Sequence, residues 1–386
     1  MNILFINNNY NLFANADSGA SQRSMRLIQA LTHAGHVDVV SFADETVSNI
    51  EGVDVIYSEV VERLDMSVGA FKKIIRLFYP ITSNVFYPVH SGKEKIIDEI
   101  VETRKYDIIV IRYIHFACEC GLLKYADRLV IDVDDDPKQV IQMSFSNVDG
   151  ILKRLYHRLY ANAIDKVSRS IIVKVRCAFY STPNMYYHNA HFLPNISHQH
   201  LLPPPSFSGN PIIMMVGWFG YPPNIEGLRH FITNVYPKIR IEVPKVILNV
   251  VGKMPDDSLR DLCVKTDGVN LLGFVGNLEE EYKRSRCAVV PIYSGTGTSV
   301  KMVEAMSLGR AVVATPCGAR GLSPAFEANM DFYLAETDDD FAQKVIRLIT
   351  NPVENLNMSN NAYNKIEYYY SEEMFNDSVL SRIKLK

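Results

Sequence analysis

The stretch from Cys287 to Gly321 reads CAVVPIYSGTGTSVKMVEAMSLGRAVVATPCGARG. Within it Ser294 to Ser299 (SGTGTS) is a loop of glycines and hydroxyls, and Lys301 and Glu304 follow at once. A glycine loop that opens a helix presents unpaired backbone N–H groups and the positive end of the helix dipole, which suits an anion. Lys301 falls in the first turn, where a cation opposes that dipole. It fits better if a phosphate lies over the helix end. Glu304, one turn further in, can accept two hydrogen bonds from a vicinal diol such as ribose. The plain alternative is a strand–helix turn with ordinary surface charges, because one glycine loop alone carries little weight.

Two strands and a helix must hold this loop. Ala288 to Ile292 is an apolar run long enough for a buried parallel strand. Val300 to Leu308 has helical spacing, with Val300, Val303 and Met306 or Ser307 on one face. Gly309 stops that helix, and Ala311 to Ala314 reads as a second buried strand.

Carboxylates gather at a second place. Leu129 to Val133 reads as a buried strand that runs into Asp132, Asp134, Asp135 and Asp136, just before Pro137. Carboxylates at the C-terminal edge of a parallel strand point into the usual ligand crevice. His115 lies just past the preceding strand, Tyr106 to Arg112, and is either a crevice residue or a loop histidine.

The chain has 386 residues, too long for one ordinary core, so two domains are expected. It is 47% hydrophobic and 22% charged, the balance of a soluble globular protein. A net charge of −3 argues against a nucleic-acid binder. The six cysteines are scattered, and Cys118-x-Cys120 is poor metal spacing, so they read as reduced thiols of a cytoplasmic protein. No signal peptide opens the chain, and no stretch approaches ~20 uninterrupted apolar residues.

Taken in order, Ile3 to Ile6 is a strand, Asn7 to Ser18 a polar loop, and Gly19-Ala20-Ser21 opens a helix striped by Met25, Ile28 and Leu31. Val37 to Phe42 and Asp54 to Tyr57 are further strands. Strand, loop, helix, strand begins a doubly wound sheet. Gly19 stands alone where a dinucleotide fingerprint needs three glycines, so it reads either as a close backbone approach to a ligand or as a plain helix start. Residues 62–95 interrupt the pattern; Phe71, Ile74, Ile75 and Phe78 share a helical face flanked by Lys72, Lys73 and Arg76. Such a segment lies either on an anionic membrane surface or packed on the domain. Ile151 to Ser168 is a helix whose Lys153, Arg154 and Arg158 read as a solvated face. Ser170 to Val173 and His191 to Leu193 read as strands, and LLPPPSFSGNP, residues 201–211, as a linker. Strands and helices then alternate again from Ile212: Ile212 to Val216, Val246 to Val250 and Val269 to Leu272 are strands, and Asn224 to Ile232, Leu278 to Ser285 and Phe341 to Ile349 helices. Asn361 to Lys386 reads as a last helical stretch.

With these marks assembled, the sequence resembles the family 4 nucleotide-sugar glycosyltransferases (glycosyl transferases group 1). The resemblance is carried by VGWFGYPPNIEGL, the Gly252 turn, LLGFVGN, the Pro291–Met306 run P-x-x-x-G-x-G-T-x-x-K-x-x-E-A-M, and G-A-R-G after it. The GASQRS loop, the IDVDDD strand end and the LPN of residues 193–195 match more loosely. The resemblance implies the GT-B fold, two Rossmann-like doubly wound α/β domains across a cleft. Its parts would be an acceptor-side domain over 1–200 with the 62–95 insertion, the 201–211 linker, a nucleotide-sugar domain over 212–365, and a helix over 366–386 crossing back. It implies a retaining transfer of a sugar from a nucleotide-diphosphate donor to an acceptor hydroxyl, in cell-surface polysaccharide or glycolipid synthesis. A glycan or lipid-linked acceptor goes with it; the peripheral contact with an anionic membrane rests on residues 62–95, the cytoplasmic setting on the cysteines, and the exclusion of nucleic acid on the net charge.

The resemblance also implies roles. Glu304 would hold the nucleotide ribose. Thr296, Gly297, Thr298, Ser299 and Val300 form the diphosphate loop, with backbone amides near Ser299 and Val300 on the phosphates and Lys301 adding charge. Gly217 would line the cleft against the phosphates and Gly19 would approach the donor from the other domain. Asp134, Asp135 and His115 are the catalytic candidates. No metal and no cofactor is implied, since helix dipole and basic side chains neutralise the leaving diphosphate. Two departures stand out. Thr296 occupies the position of a glutamate that ordinarily contacts the sugar. Asn224 stands where a lysine is frequent, so that Lys253 or Arg320 would complete the clamp. The rival readings are a catalytically silent sugar-nucleotide binder, favoured by Thr296, a nicotinamide-dependent oxidoreductase, disfavoured by the absent G-x-G-x-x-G, and a purely structural protein.

Overall fold

A computed structural model describes residues 1–8, 19–43, 52–60, 87–144, 150–183, 187–197, 200–253, 256–295 and 300–384. The chain divides into two compact units, Met1–Pro194 with Glu373–Lys386, and Asn195–Glu372.

The first unit is built on a seven-stranded sheet. Its strands are β1 (Asn2–Asn8), β2 (His36–Ala43), β3 (Asp54–Val60), β4 (Ile108–Arg112), β5 (Leu129–Asp134), β6 (Cys177–Tyr180) and β7 (Ala190–Phe192), in the order β3-β2-β1-β4-β5-β6-β7. Every pairing is parallel. Strands buried on both faces need continuous apolar runs, and β1, β4 and β5 have them: Ile3 to Ile6, Ile108 to Ile111 and Leu129 to Ile131 are all buried. The order reverses between β1 and β4, and the loops that follow those two strands flank the crevice of such a sheet.

The second unit repeats the plan with six parallel strands, β8 (Ile212–Val216), β9 (Ile247–Val251), β10 (Val269–Gly273), β11 (Cys287–Val290), β12 (Ala311–Ala314) and β13 (Tyr333–Leu334). Their order is β10-β9-β8-β11-β12-β13, so the reversal falls between β8 and β11. Gly217 follows β8, and the SGTGTS loop follows β11.

Two expectations change. Ser170 to Val173, read as a strand, closes the helix Ile151–Ile172 and its cap, and the strand is Cys177–Tyr180 instead. The β-branched run IIVKV suggested a strand. Ile164, Val167 and Ile171, however, are buried at helical spacing, and that packing prevails over β propensity. Residues 201–211, read as the linker, lie inside the second unit. Two buried arginines require acceptors and find them in this backbone. Arg310 donates from Nη2 to the Pro203 carbonyl at 2.9 Å, and Arg286 donates to the Ser206 and Gly209 carbonyls at 3.1 and 3.0 Å. The stretch after Asn361 is covered by the end of one helix, Pro352–Tyr369, and by a second, Glu372–Lys384, which groups with the first unit. Most of 62–95, including the Phe71–Phe78 face, lies outside the described residues.

Candidate functional site

At the switch point of the second sheet three glycine and polar turns converge. Gly217 N–H donates to the Val251 carbonyl at 3.0 Å, and Gly252 N–H to the Gly273 carbonyl at 2.7 Å. The ends of β8, β9 and β10 are thereby laced together. Gly252 has φ +138°, and a Cβ there would fall 1.7 Å from the Gly217 carbonyl oxygen, so only glycine fits. A Cβ on Gly217 would fall 3.1 Å from Lys301 Cε and 3.2 Å from Asn224 Nδ2. The backbone after β8 therefore touches the lysine that follows β11.

Lys301 and Glu304 stand on the helix Val300–Ser307, whose Met302, Val303, Ala305 and Met306 are buried and fix its orientation. Glu304 Oε1 accepts from the hydroxyl of Tyr282 at 2.9 Å. Tyr282 is 1% exposed, and burial, with the Glu304 charge beside it, pushes its phenol well above the usual range. Burial raises the Glu304 carboxyl, against the opposing pull of the Tyr282 hydrogen bond and of Lys301. Burial lowers the Lys301 ammonium, with Glu304 opposing. Burial disfavours both charged forms, since among the described residues their partners do not replace the water lost. Arg320 donates from Nη2 to the Gly295 carbonyl and, at 3.2 Å, to Cys317 Sγ, so it holds the start of the loop. Lys253 lies over the Phe274 ring at 5.4 Å. Asn224, read as a missing lysine, donates from Nδ2 to the Trp218 carbonyl at 2.7 Å, while its buried Oδ1 has no partner among the described residues. Thr296, Gly297, Thr298 and Ser299 lie outside the described residues.

A second group closes the crevice edge of the first sheet. Asp132 is fully buried and gripped by two arginines. Arg23 donates from Nε and Nη2 at 2.8 and 2.7 Å, and Arg112 from Nε at 2.8 Å. Arg23 also donates to the Leu193 carbonyl at 3.0 Å, and Arg112 to Asp134 Oδ2 at 2.6 Å. The guanidiniums hold Asp132 below its usual range despite the opposing effect of burial. Asp134 is thus tied down, at φ +62°, and Tyr113 beside it stands at φ +66°. Non-glycine residues at positive φ on two adjacent strand ends store strain that the ion-pair network must hold. Asp135 Oδ1 accepts from Ser181 Oγ at 3.3 Å. His115 is the second residue of the helix Ile114–Glu119 and packs against Phe116 and Tyr113, with centroids 4.0 and 5.7 Å away. Burial pushes its imidazole down to about 4, so it is neutral at pH 7. Gly19 begins the helix Gly19–Thr32.

Sequence reading singled out neither Arg23 nor Arg112, nor Tyr282. Arg23 sits in the quoted GASQRS motif, but its partner Asp132 is far along the chain, and nothing local marks the pair. The first unit also holds a cavity of about 240 Å3 beyond β5 and β6, with Asp136, Lys138, Arg169 and Tyr180 among its lining. Ser168 Oγ on that lining is buried without a hydrogen-bond partner among the described residues.

Residues 210–351 match the model of the family described as glycosyl transferases group 1. Among curated proteins none matches the sequence. Solved structures show the fold. Sucrose-phosphate synthase from Thermosynechococcus elongatus is 16% identical over 97% of this chain and 96% of its own, with a TM-score of 0.69. WaaG, a glycosyltransferase involved in lipopolysaccharide biosynthesis, is 14% identical over 98% and 99%, at 0.59. Anabaena Alr3699/HepE, in complex with UDP and glucose, is 13% identical over 99% and 98%, at 0.60. The expected GT-B fold is the observed one.

Proposed function

We propose, for a chain whose residues 210–351 belong to the group 1 glycosyltransferases, that it moves a sugar from a nucleoside-diphosphate sugar to an acceptor hydroxyl with retention at the anomeric carbon. The observation that carries this reading is the Lys301–Glu304–Tyr282 group at the switch point of the second sheet. Among the described residues the half-buried Glu304 carboxylate has the Tyr282 hydroxyl for a donor, and a ribose diol would supply two more; the half-buried Lys301 ammonium would gain anionic partners from a diphosphate. The start of the helix Val300–Ser307 adds a positive dipole end, and a glycine-and-hydroxyl sequence before it is of the kind that turns backbone N–H groups to a phosphate. These groups stabilise the departing diphosphate, which is where charge develops in the transition state. The reading takes no metal and no cofactor. Asp135 and the neutral His115, at the crevice edge of the first sheet, are the candidates for the chemistry, while Asp134, held by guanidinium, orients and does not react. The polar cavity beside Asp136 and Lys138 suits a glycan acceptor.

On this reading the setting is cytoplasmic, where nucleotide sugars are made, and the pathway is cell-surface polysaccharide or glycolipid synthesis. Among the described residues no helix is long and apolar enough to cross a membrane. Since Anabaena HepE is seen with UDP, uridine diphosphate heads the ligands to test. Thermal shift with uridine, guanosine and adenosine diphosphates tests the reading: a matching ligand at ~100 times its Kd adds roughly 2.7 kcal/mol. No shift with any diphosphate or diphosphate sugar overturns it. Thr296 favours a second reading, a silent nucleotide-sugar-binding subunit. A nucleotide that binds without donor hydrolysis or transfer selects that one.

A further inference from the structure

We propose that the first part of the helix Ile151–Ile172 docks on an anionic lipid surface. The helix carries two apolar faces. Ile164, Val167 and Ile171 are buried and pack it on the sheet. Ile151, Leu152, Leu155 and Leu159 are 82%, 82%, 52% and 45% exposed. At the helical repeat these four fall within an arc of about 100°, turned roughly 140° from the packed face. Fully exposed aliphatic side chains scattered singly need no explanation, but four in one stripe mark a contact surface.

The charges around the stripe say what it contacts. Arg158 and, beyond it, Arg154 border one edge, while Lys153 stands at the start of the helix about 100° past the other edge; all three are exposed. None of the three is in an ion pair among the described residues. Lys166 continues the line of the stripe about two turns beyond Leu159. The helix holds one acidic residue, Asp165, already paired with Arg169 at 3.0 Å and Lys138 at 3.4 Å. An apolar stripe edged by cations that make no ion pair among the described residues is the pattern of a helix lying at an anionic bilayer interface, side chains among the acyl chains and cations at the headgroups. A second copy of this chain is a poorer occupant, because it would set the same cations against one another. The lysines and arginines read from sequence as a solvated face thus flank an apolar one, and the membrane contact expected of residues 62–95 is assigned to this helix.

Co-sedimentation with vesicles of equal parts phosphatidylcholine and phosphatidylglycerol tests the assignment. Wild type should bind, less at high salt, and should ignore phosphatidylcholine alone. Ile151→Ser/Leu152→Ser/Leu155→Ser should lower the partition coefficient roughly tenfold or more, with an unchanged thermal midpoint because the three side chains are exposed. Lys153→Gln/Arg154→Gln/Arg158→Gln should lower it about a hundredfold. No binding by wild type at low salt overturns the proposal. So does a partition coefficient that either triple variant leaves unchanged, or one that falls only when Lys72, Lys73 and Arg76 become glutamine. Sedimentation velocity covers the remaining occupant: a wild-type dimer that the serine variant converts to monomer assigns the stripe to self-association and overturns the lipid assignment.

Discussion

Each unit carries a buried charged group at the C-terminal ends of its parallel strands, and the two groups are built in opposite ways. In the first unit Asp132 meets both Arg23 and Arg112, and Arg112 reaches on to Asp134. Its guanidiniums hold that carboxylate in its charged form. In the second unit Glu304 has a single phenol donor among the described residues, and its carboxyl is raised while Lys301 is lowered. A saturated network holds structure, whereas an undersupplied one is poised for a ligand that completes it. Perturbed groups in a crevice mark function when their missing partners match a ligand's chemistry.

The largest test breaks the saturated side. Asp132→Ala leaves two guanidiniums buried with one weakened partner set, and should cost about 3–5 kcal/mol in urea unfolding. A loss below about 1 kcal/mol would mean the network is not what holds the strained strand ends. Next, Glu304→Ala should weaken nucleotide binding by about 1.5–3 kcal/mol without unfolding the protein, since the side chain removed was poorly satisfied. Calorimetry showing unchanged affinity sinks the ribose assignment.

Tyr282→Phe sharpens the contrast. It removes the one hydrogen bond among the described residues that favours ionised Glu304, so the carboxyl should rise further and nucleotide affinity should drop by about 1 kcal/mol. An affinity equal to wild type would show that Tyr282 merely fills space. The smallest effect concerns pH. The Glu304 carboxyl lies above its ordinary 4.5 in the folded protein, so the native state holds a proton that the unfolded chain releases. The stability this confers is complete below that ordinary value and is lost as pH rises through the folded one. Glu304→Gln should therefore gain on wild type as pH climbs from 4.5 in denaturant melts of the free protein. A difference between the two that is flat, or that shrinks with rising pH, contradicts the undersupplied carboxyl.

The same contrast explains what could be read from the chain. Lys301 and Glu304 were legible together because both stand on the one helix that follows β11. Gly217 was legible for a like reason, as the turn after a strand. Tyr282 was not, since its hydroxyl reaches Glu304 only because two separate helices pack side by side. Arg23, Arg112 and Asp132 belong to one helix and two strands, and no spacing announces their meeting. The opposite failure occurred at residues 201–211, where prolines, serines and a glycine suggested a free connector. Backbone carbonyls there satisfy Arg286 and Arg310, a demand that arises only once those arginines are buried.

By itself the sequence determined the fold class and most of the strands. Buried parallel strands must be continuous apolar runs, and their alternation with helices permits few sheets. It also placed Lys301 and Glu304 on a helix after a buried strand, since the apolar run of β11 and the helical spacing of 300–308 are both local. Tertiary structure alone decided which charges are satisfied and which are left wanting. Asp134 looked as free as Glu304 in the sequence, but a guanidinium from the neighbouring strand holds it. Leu152 and Ile164 look alike as residues of one helix, yet one is 82% exposed and the other buried. Solvation and pairing depend on what folds against a side chain, and that partner is most often distant in sequence.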